Sequence, residues 1–256
     1  MVSTAPITGH QVVSSEEWLD ARKEHLANEK RLTRMRDELA AERRALPWVK
    51  VDKEYVFDGP DGKVTLADLF EGRSQLIVNH FMFGPDWEEG CLGCSFKADH
   101  LDGALLHITQ RDISFVNVSR APLPKLVEFK KRMGWNFRWV SSFDSDFNSD
   151  FHVSYTEEDR AAGHPWLINF EEQEAPAGET EESGISIFFK DAKGDIYHTY
   201  SCFIRGDEAM MMSYSLIDLT PTGRNETHGL AEWVRLHDLY DTGSKAADGS
   251  SDCGCR

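Results

Sequence analysis

The chain has 256 residues, 40% of them hydrophobic and 28% charged, with a formal net charge of −16 and a pI near 5.0. That is a globular composition, long enough to bury a core without covalent staples. So acidic a surface repels phosphate backbones and anionic lipid heads, so neither nucleic acid nor membrane is an expected partner.

Residues 14–46 read as one long helix, with Ser14 and Glu17 at capping-box spacing and Pro47 as its stop. Trp18, His25, Leu32, Leu39 and Leu46 recur every seven residues, with Ala21, Asn28 and Met35 between them. Such a seam suits an arm packed along the domain, or a helix that joins a second copy in a homodimer. A catalytic role for His25 is the weakest reading.

Val49–Phe57 alternates and ends in the turn Asp58-Gly-Pro-Asp-Gly62. Gln75–Phe83 is an apolar run of the kind that fills a buried strand, and Gly84-Pro85 ends it. A helix follows from Ser95 to about Gln110, then a second buried strand, Ile113–Val118. Pro122–Met133 is a helix with Pro near its start and Gly134 at its end. Trp135–Phe143 reads as a third strand, so the order strand–helix–strand–helix–strand predicts parallel strands.

Glu171–Glu182, with six glutamates broken by Pro176 and Gly178, reads as an exposed loop. Ile185–Phe189 and Ile196–Phe203 form a hairpin, a helix follows near Asp207–Leu216, and an amphipathic piece covers Leu230–Tyr240. Three domains are expected: 1–47 with the long helix, 48–223 as the central domain, and 224–256 as a C-terminal helix and flexible tail.

The five cysteines are Cys91, Cys94, Cys202, Cys253 and Cys255. An odd number, none in the first ninety residues, does not suit a secreted disulfide framework. The N-terminus lacks the basic start and apolar run of a signal peptide. No apolar run approaches the ~20 residues that span a bilayer. A cytoplasmic location is the expectation.

Cys91-Leu-Gly-Cys94 stands between a buried strand and a helix start. Two intervening residues bring the sulfurs within reach across one turn. The free amides and dipole of a helix N-terminus favour a thiolate, the species that attacks a disulfide. Asp86, Glu88 and Glu89 oppose that activation, with Lys97 the close cation.

The stretch from Asn79 to Phe96, Asn79-His-Phe-Met-Phe-Gly-Pro-Asp-Trp-Glu-Glu-Gly-Cys-Leu-Gly-Cys-Ser-Phe96, resembles the bacterial DUF899 family of thioredoxin-like proteins. The resemblance continues through Phe115–Ala121, Lys130–Trp135, Trp139–Phe143, Ser145–Asn148 and His198–Ser201, and ends near Leu216–Pro221. It implies an α/β thioredoxin-like fold, a mixed sheet flanked by helices, carrying the long N-terminal helix and a C-terminal helical extension. It also implies a dithiol–disulfide oxidoreductase in which Cys91 attacks and Cys94 resolves, without a cofactor. Its substrate would be a protein dithiol or a small thiol.

Trp87, Gly93 and Gly184 are the candidates for lining a substrate groove. Ser183-Gly184 stands before the strand Ile185–Phe189, where thioredoxin-like proteins usually carry a proline. The alternative to redox chemistry is copper or zinc held by Cys91 and Cys94 with a histidine, His80 or His100, His107 lying further along the same helix. A third reading is a non-catalytic interaction module. Cys202 reads as a buried apolar residue, Met210-Met-Met212 as a core stripe, and Cys253-Gly-Cys255 as part of an exposed tail.

Overall fold

The computed structural model describes residues 9–173, 178–227 and 231–240. The chain divides into two compact units, Met1–Pro47 and Trp48–Arg256. In the first, helix α1 spans Ser15–Arg44, and Ser14 caps it in a complete capping box with Glu17. No residue of α1 is buried.

In the second unit the strands are β1 (Val49–Lys50), β2 (Val56–Gly59), β3 (Gly62–Thr65), β4 (Gln75–His80), β5 (Ile113–Ser119) and β6 (Arg138–Ser141). They continue as β7 (Trp166–Ile168), β8 (Glu171–Gln173), β9 (Gly184–Lys190) and β10 (Ile196–Phe203). The helices are α2 (Leu92–Ile108), α3 (Leu123–Met133), α4 (Phe147–Asp150), α5 (Glu157–Ala162) and α6 (Met212–Ile217).

Eight strands form one sheet in the order β1-β10-β9-β4-β5-β6-β2-β3. β4, β5 and β6 run parallel, joined by α2 and α3, as the alternation of apolar runs and helical stretches predicts. β9 returns antiparallel beside β4, and β10 pairs antiparallel with β9. A β-α-β unit flanked on its first strand by an antiparallel hairpin is the thioredoxin-like arrangement, here widened by β6 and the β2–β3 hairpin. The protein has that fold.

The period-two alternation of β4 divides the core. Ile77 and Phe81 face the cluster that α2 and α3 cover, with Cys91, Cys94, Phe129 and Trp139. Leu76 and Val78 face the other cluster, with Phe57, Phe70, Phe147 and Phe188. A third cluster packs Phe96 of α2 against Met211, Tyr214 and Val234.

Four expectations are corrected. The third strand is shorter than Trp135–Phe143, because the Asp102 carboxylate takes the backbone N–H groups of Asn136 and Phe137 before the ladder begins. The glutamate-rich segment is not simply an exposed loop. Glu171–Gln173 forms β8, while Glu181 is buried, pairing with Arg120 and accepting from Ser154 Oγ.

The helix expected near Asp207–Leu216 is instead a 3₁₀ segment, Ile204–Met210, followed by the short α6. The C-terminal helix is also absent among the described residues, which hold only a 3₁₀ turn at His237–Leu239. There the Glu226 carboxylate accepts from Tyr214 Oη, the Ala231 N–H and Trp233 Nε1, an anchor that replaces helical hydrogen bonds. Val234 and Leu236 sit in the core of the second unit. Of the methionine triplet, Met211 is buried and Met212 exposed.

Candidate thiol site

The loop between β4 and α2 is held by its own backbone and by α3. Lys125 Nζ donates to the carbonyls of Pro85 (3.1 Å) and Trp87 (2.9 Å). Gly90 precedes Cys91 because nothing larger fits: a Cβ there would lie 2.6 Å from the Phe81 ring and 3.0 Å from the Phe129 ring. Trp87 folds back over Gly84, where a Cβ would lie 2.8 Å from its indole nitrogen.

Met82 clamps both cysteines. Its carbonyl accepts the Cys91 N–H at 3.0 Å, and its N–H donates to Cys94 Sγ at 3.4 Å. Cys91 is the N-cap residue of α2, with extended backbone (φ −52°, ψ 136°), and Cys94 lies in the first turn. The Ser95 N–H and hydroxyl both donate to the Cys91 carbonyl, which fixes that turn. Both thiols are buried, Cys91 7% exposed and Cys94 2%.

Beneath the pair lies a buried ion pair, Lys97 with Asp207, the residues 1% and 2% exposed. Lys97 is one turn beyond Cys94 on α2, and Asp207 comes from the 3₁₀ segment after β10. Burial works against the Lys97 ammonium, but the charge of Asp207 and the negative forms of Cys94 and Cys202 outweigh it, so Lys97 titrates above the ordinary lysine range. Both sulfurs therefore lie close enough to the Lys97 ammonium for their charge to be felt there.

A cavity of about 30 Å³, room for one water-sized molecule, is lined by Cys91, Gly93, Cys94, Lys97, Ser183 and Asp207. Ile204 also lines it, in left-handed backbone, φ +47°, a rare conformation for a β-branched side chain.

Of the groove candidates, Gly93 lines this cavity. Trp87 is half-buried against the core, on Gly84. At Gly184 a Cβ would lie 2.5 Å from the Phe203 ring and 2.9 Å from the Cys202 carbonyl, so its smallness serves the close approach of β9 and β10. Its neighbour Ser183 takes the place at the cavity.

The opposing carboxylates are exposed, and Glu89 is taken up by Arg132. Sequence reasoning missed Asp207 and Ile204, which reach the site from beyond residue 200, and chose Gly184 over its neighbour Ser183. The single local signal was Lys97, a charge within the buried face of α2.

The histidines proposed as metal ligands are engaged elsewhere. His80 Nε2 bonds Ser186 Oγ at 2.7 Å; the ring stacks near Phe147 and Phe151 on the far face of the sheet. Burial holds its pKa at about 3, so it is neutral. His100 Nδ1 meets the Phe96 carbonyl at 2.6 Å, and its Nε2 meets the Ser213 N–H and hydroxyl. Among the described residues no three His, Cys, Asp or Glu side chains are grouped to hold a metal ion. Cys202 is buried on β10, and Cys253 and Cys255 lie outside the described residues.

No helix among the described residues is long and apolar enough to cross a membrane. No curated protein matches the chain. Similar solved structures include the peroxidoxin BcpB of Mycobacterium tuberculosis, 14% identical over 66% of this chain and 97% of that one, with a TM-score of 0.40. Peroxiredoxin Q of Xanthomonas campestris is 12% identical over 68% of this chain and 98% of its own, TM-score 0.39. The reduced 2-Cys peroxiredoxin of Plasmodium vivax is 13% identical over 67% and 93%, TM-score 0.39. The family described as bacterial protein of unknown function DUF899 matches residues 7–240, nearly the whole described chain, and this protein belongs to it.

Proposed function

We propose that the protein is a thiol–disulfide oxidoreductase of the reducing cytoplasm, with Cys91 and Cys94 as its redox pair. The observation that carries this reading is the Met82 clamp, which holds Cys91 at the helix N-terminus and gives Cys94 Sγ a backbone donor over Lys97.

Cys91 is the attacking thiol, being the less buried of the two. Its thiolate attacks one sulfur of a substrate disulfide, and that S–S bond breaks. The leaving thiolate takes a proton. Cys94 then loses its proton and attacks Cys91 in the mixed disulfide, releasing the second substrate thiol. The substrate gains two electrons and two protons, and a Cys91–Cys94 disulfide forms. Lys97 stabilises the charge that develops on Cys94. With Cys91 7% exposed, a small disulfide reaches it more readily than a folded protein loop.

The test is treatment of the reduced chain with a small disulfide, followed by peptide mapping and intact mass. The expected result is a Cys91–Cys94 link, a loss of two protons, and Cys202 still alkylatable. Recovery of both thiols alkylatable after oxidation would overturn the proposal.

A further inference from the structure

We propose that α1 pairs with α1 of a second copy of this chain in an antiparallel two-helix coiled coil. The helix runs 30 residues, about 45 Å at 1.5 Å per residue. Trp18, Leu32, Met35 and Leu39 are 49–59% exposed on a helix that buries none of its residues. With Trp18 at position a of a heptad, the seam within the helix reads Trp18, Ala21, His25, Asn28, Leu32, Met35, Leu39 and Glu42.

Charge decides the direction. In a parallel pair each seam residue meets its own copy, so Glu42 would face Glu42 and His25 would face His25. The flanking g and e positions would then set Glu24 against Glu29 and Arg31 against Arg36 at the middle of the helix, with the attractive sets, Glu17 with Arg22 and Glu38 with Arg43, left to its ends. An antiparallel pair centred on Leu32 opposite Met35 of the second copy removes these conflicts. His25 then faces Glu42 and Asn28 faces Leu39.

On the flanks Arg31 meets Glu38 and Glu29 meets Arg36, each twice by symmetry, against one unfavourable set, Arg22 with Arg43. The antiparallel direction therefore has the better balance, with attractive flanks at the middle of the helix and no like-charged residues facing each other across the seam. A two-fold axis through its centre satisfies the closed symmetry expected of a homodimer.

Sedimentation equilibrium of the full chain tests the proposal, with circular dichroism to check the fold. The expected species is a dimer of 29.1 kDa chains. Leu32→Glu with Leu39→Glu, both exposed positions, gives a monomer of unchanged helicity. Arg31→Glu alone weakens the dimer roughly tenfold, and Arg31→Glu with Glu38→Arg restores it. A wild-type monomer at micromolar concentration, or a dimer that survives Leu32→Glu/Leu39→Glu, overturns the interface. A dimer that Arg31→Glu strengthens overturns the antiparallel direction, since the introduced carboxylate would then face Arg36 of a parallel partner.

Discussion

The two faces of the central sheet bury polar groups in opposite ways. The α2 face, besides the neutral amide pair Asn79–Asn117, buries charges and pairs them: Lys97 against Asp207, with Cys94 and Cys202 near enough to bias Lys97. On the far face the groups are neutral and chained. His80 Nε2 meets Ser186 Oγ (2.7 Å), Ser186 meets Ser201 (2.8 Å), and Ser201 meets His198 Nε2 (2.7 Å). An ion pair in a dry interior responds strongly to any new charge beside it, such as a thiolate. A hydroxyl chain between neutral imidazoles holds strands in place and resists charge, since burial pushes both histidines down. The sheet thus separates a charge-responsive face from a charge-excluding one.

Removing one partner of the ion pair should have the largest effect. Lys97→Met leaves Asp207 buried and alone, at a cost of roughly 3–5 kcal/mol in urea unfolding. Lys97→Met with Asp207→Leu should recover most of that stability while alkylation of Cys94 stays slower than in wild type. Equal alkylation rates in the stable double variant would mean that the pair is structural and does not serve the thiol.

Gly90→Ala forces a methyl against the Phe81 and Phe129 rings. It should cost about 1–3 kcal/mol, the range for overpacking a core, and slow closure of the Cys91–Cys94 disulfide. Wild-type unfolding and closure rates would show that the loop yields freely.

The far face predicts the pH response. His80 is held at about 3 in the folded chain, well below an unfolded histidine near 6.5. The unfolded state therefore binds the extra proton, and stability present above pH 6.5 is lost as pH falls toward 3. The slope from this one group is about 1.4 kcal/mol per pH unit. His80→Gln should flatten the urea midpoint between pH 6 and 4 relative to wild type; an unchanged slope would remove His80 as its source.

The smallest effect belongs to the exposed acids before Cys91. Asp86→Asn with Glu88→Gln and Glu89→Gln should raise the Cys91 alkylation rate at neutral pH by less than about threefold, because solvent screens them and Arg132 already pairs with Glu89. A tenfold rise would place them among the dominant charges at the site.

Legibility followed sequence distance. The start of β4 at Gln75, the cap at Ser14 and the Gly134 stop are signalled within a few residues and stand where periodicity and capping put them, whereas β4 ends at His80 rather than Phe83 and α2 begins at Leu92, three residues before Ser95. The histidines named for a metal show what distance along the chain hides. His80 and Cys91 are close in number, but strand alternation sends His80 through to the far face.

By itself the sequence determined the parallel β4-α2-β5-α3-β6 order and the placing of a cysteine pair at a helix start, because both are written in local patterns of apolar residues and breakers. Only the tertiary structure decided that Asp207 would neutralise Lys97 beneath that pair. The two residues stand 110 positions apart, and no local periodicity encodes a contact made by a 3₁₀ turn folding back over the sheet.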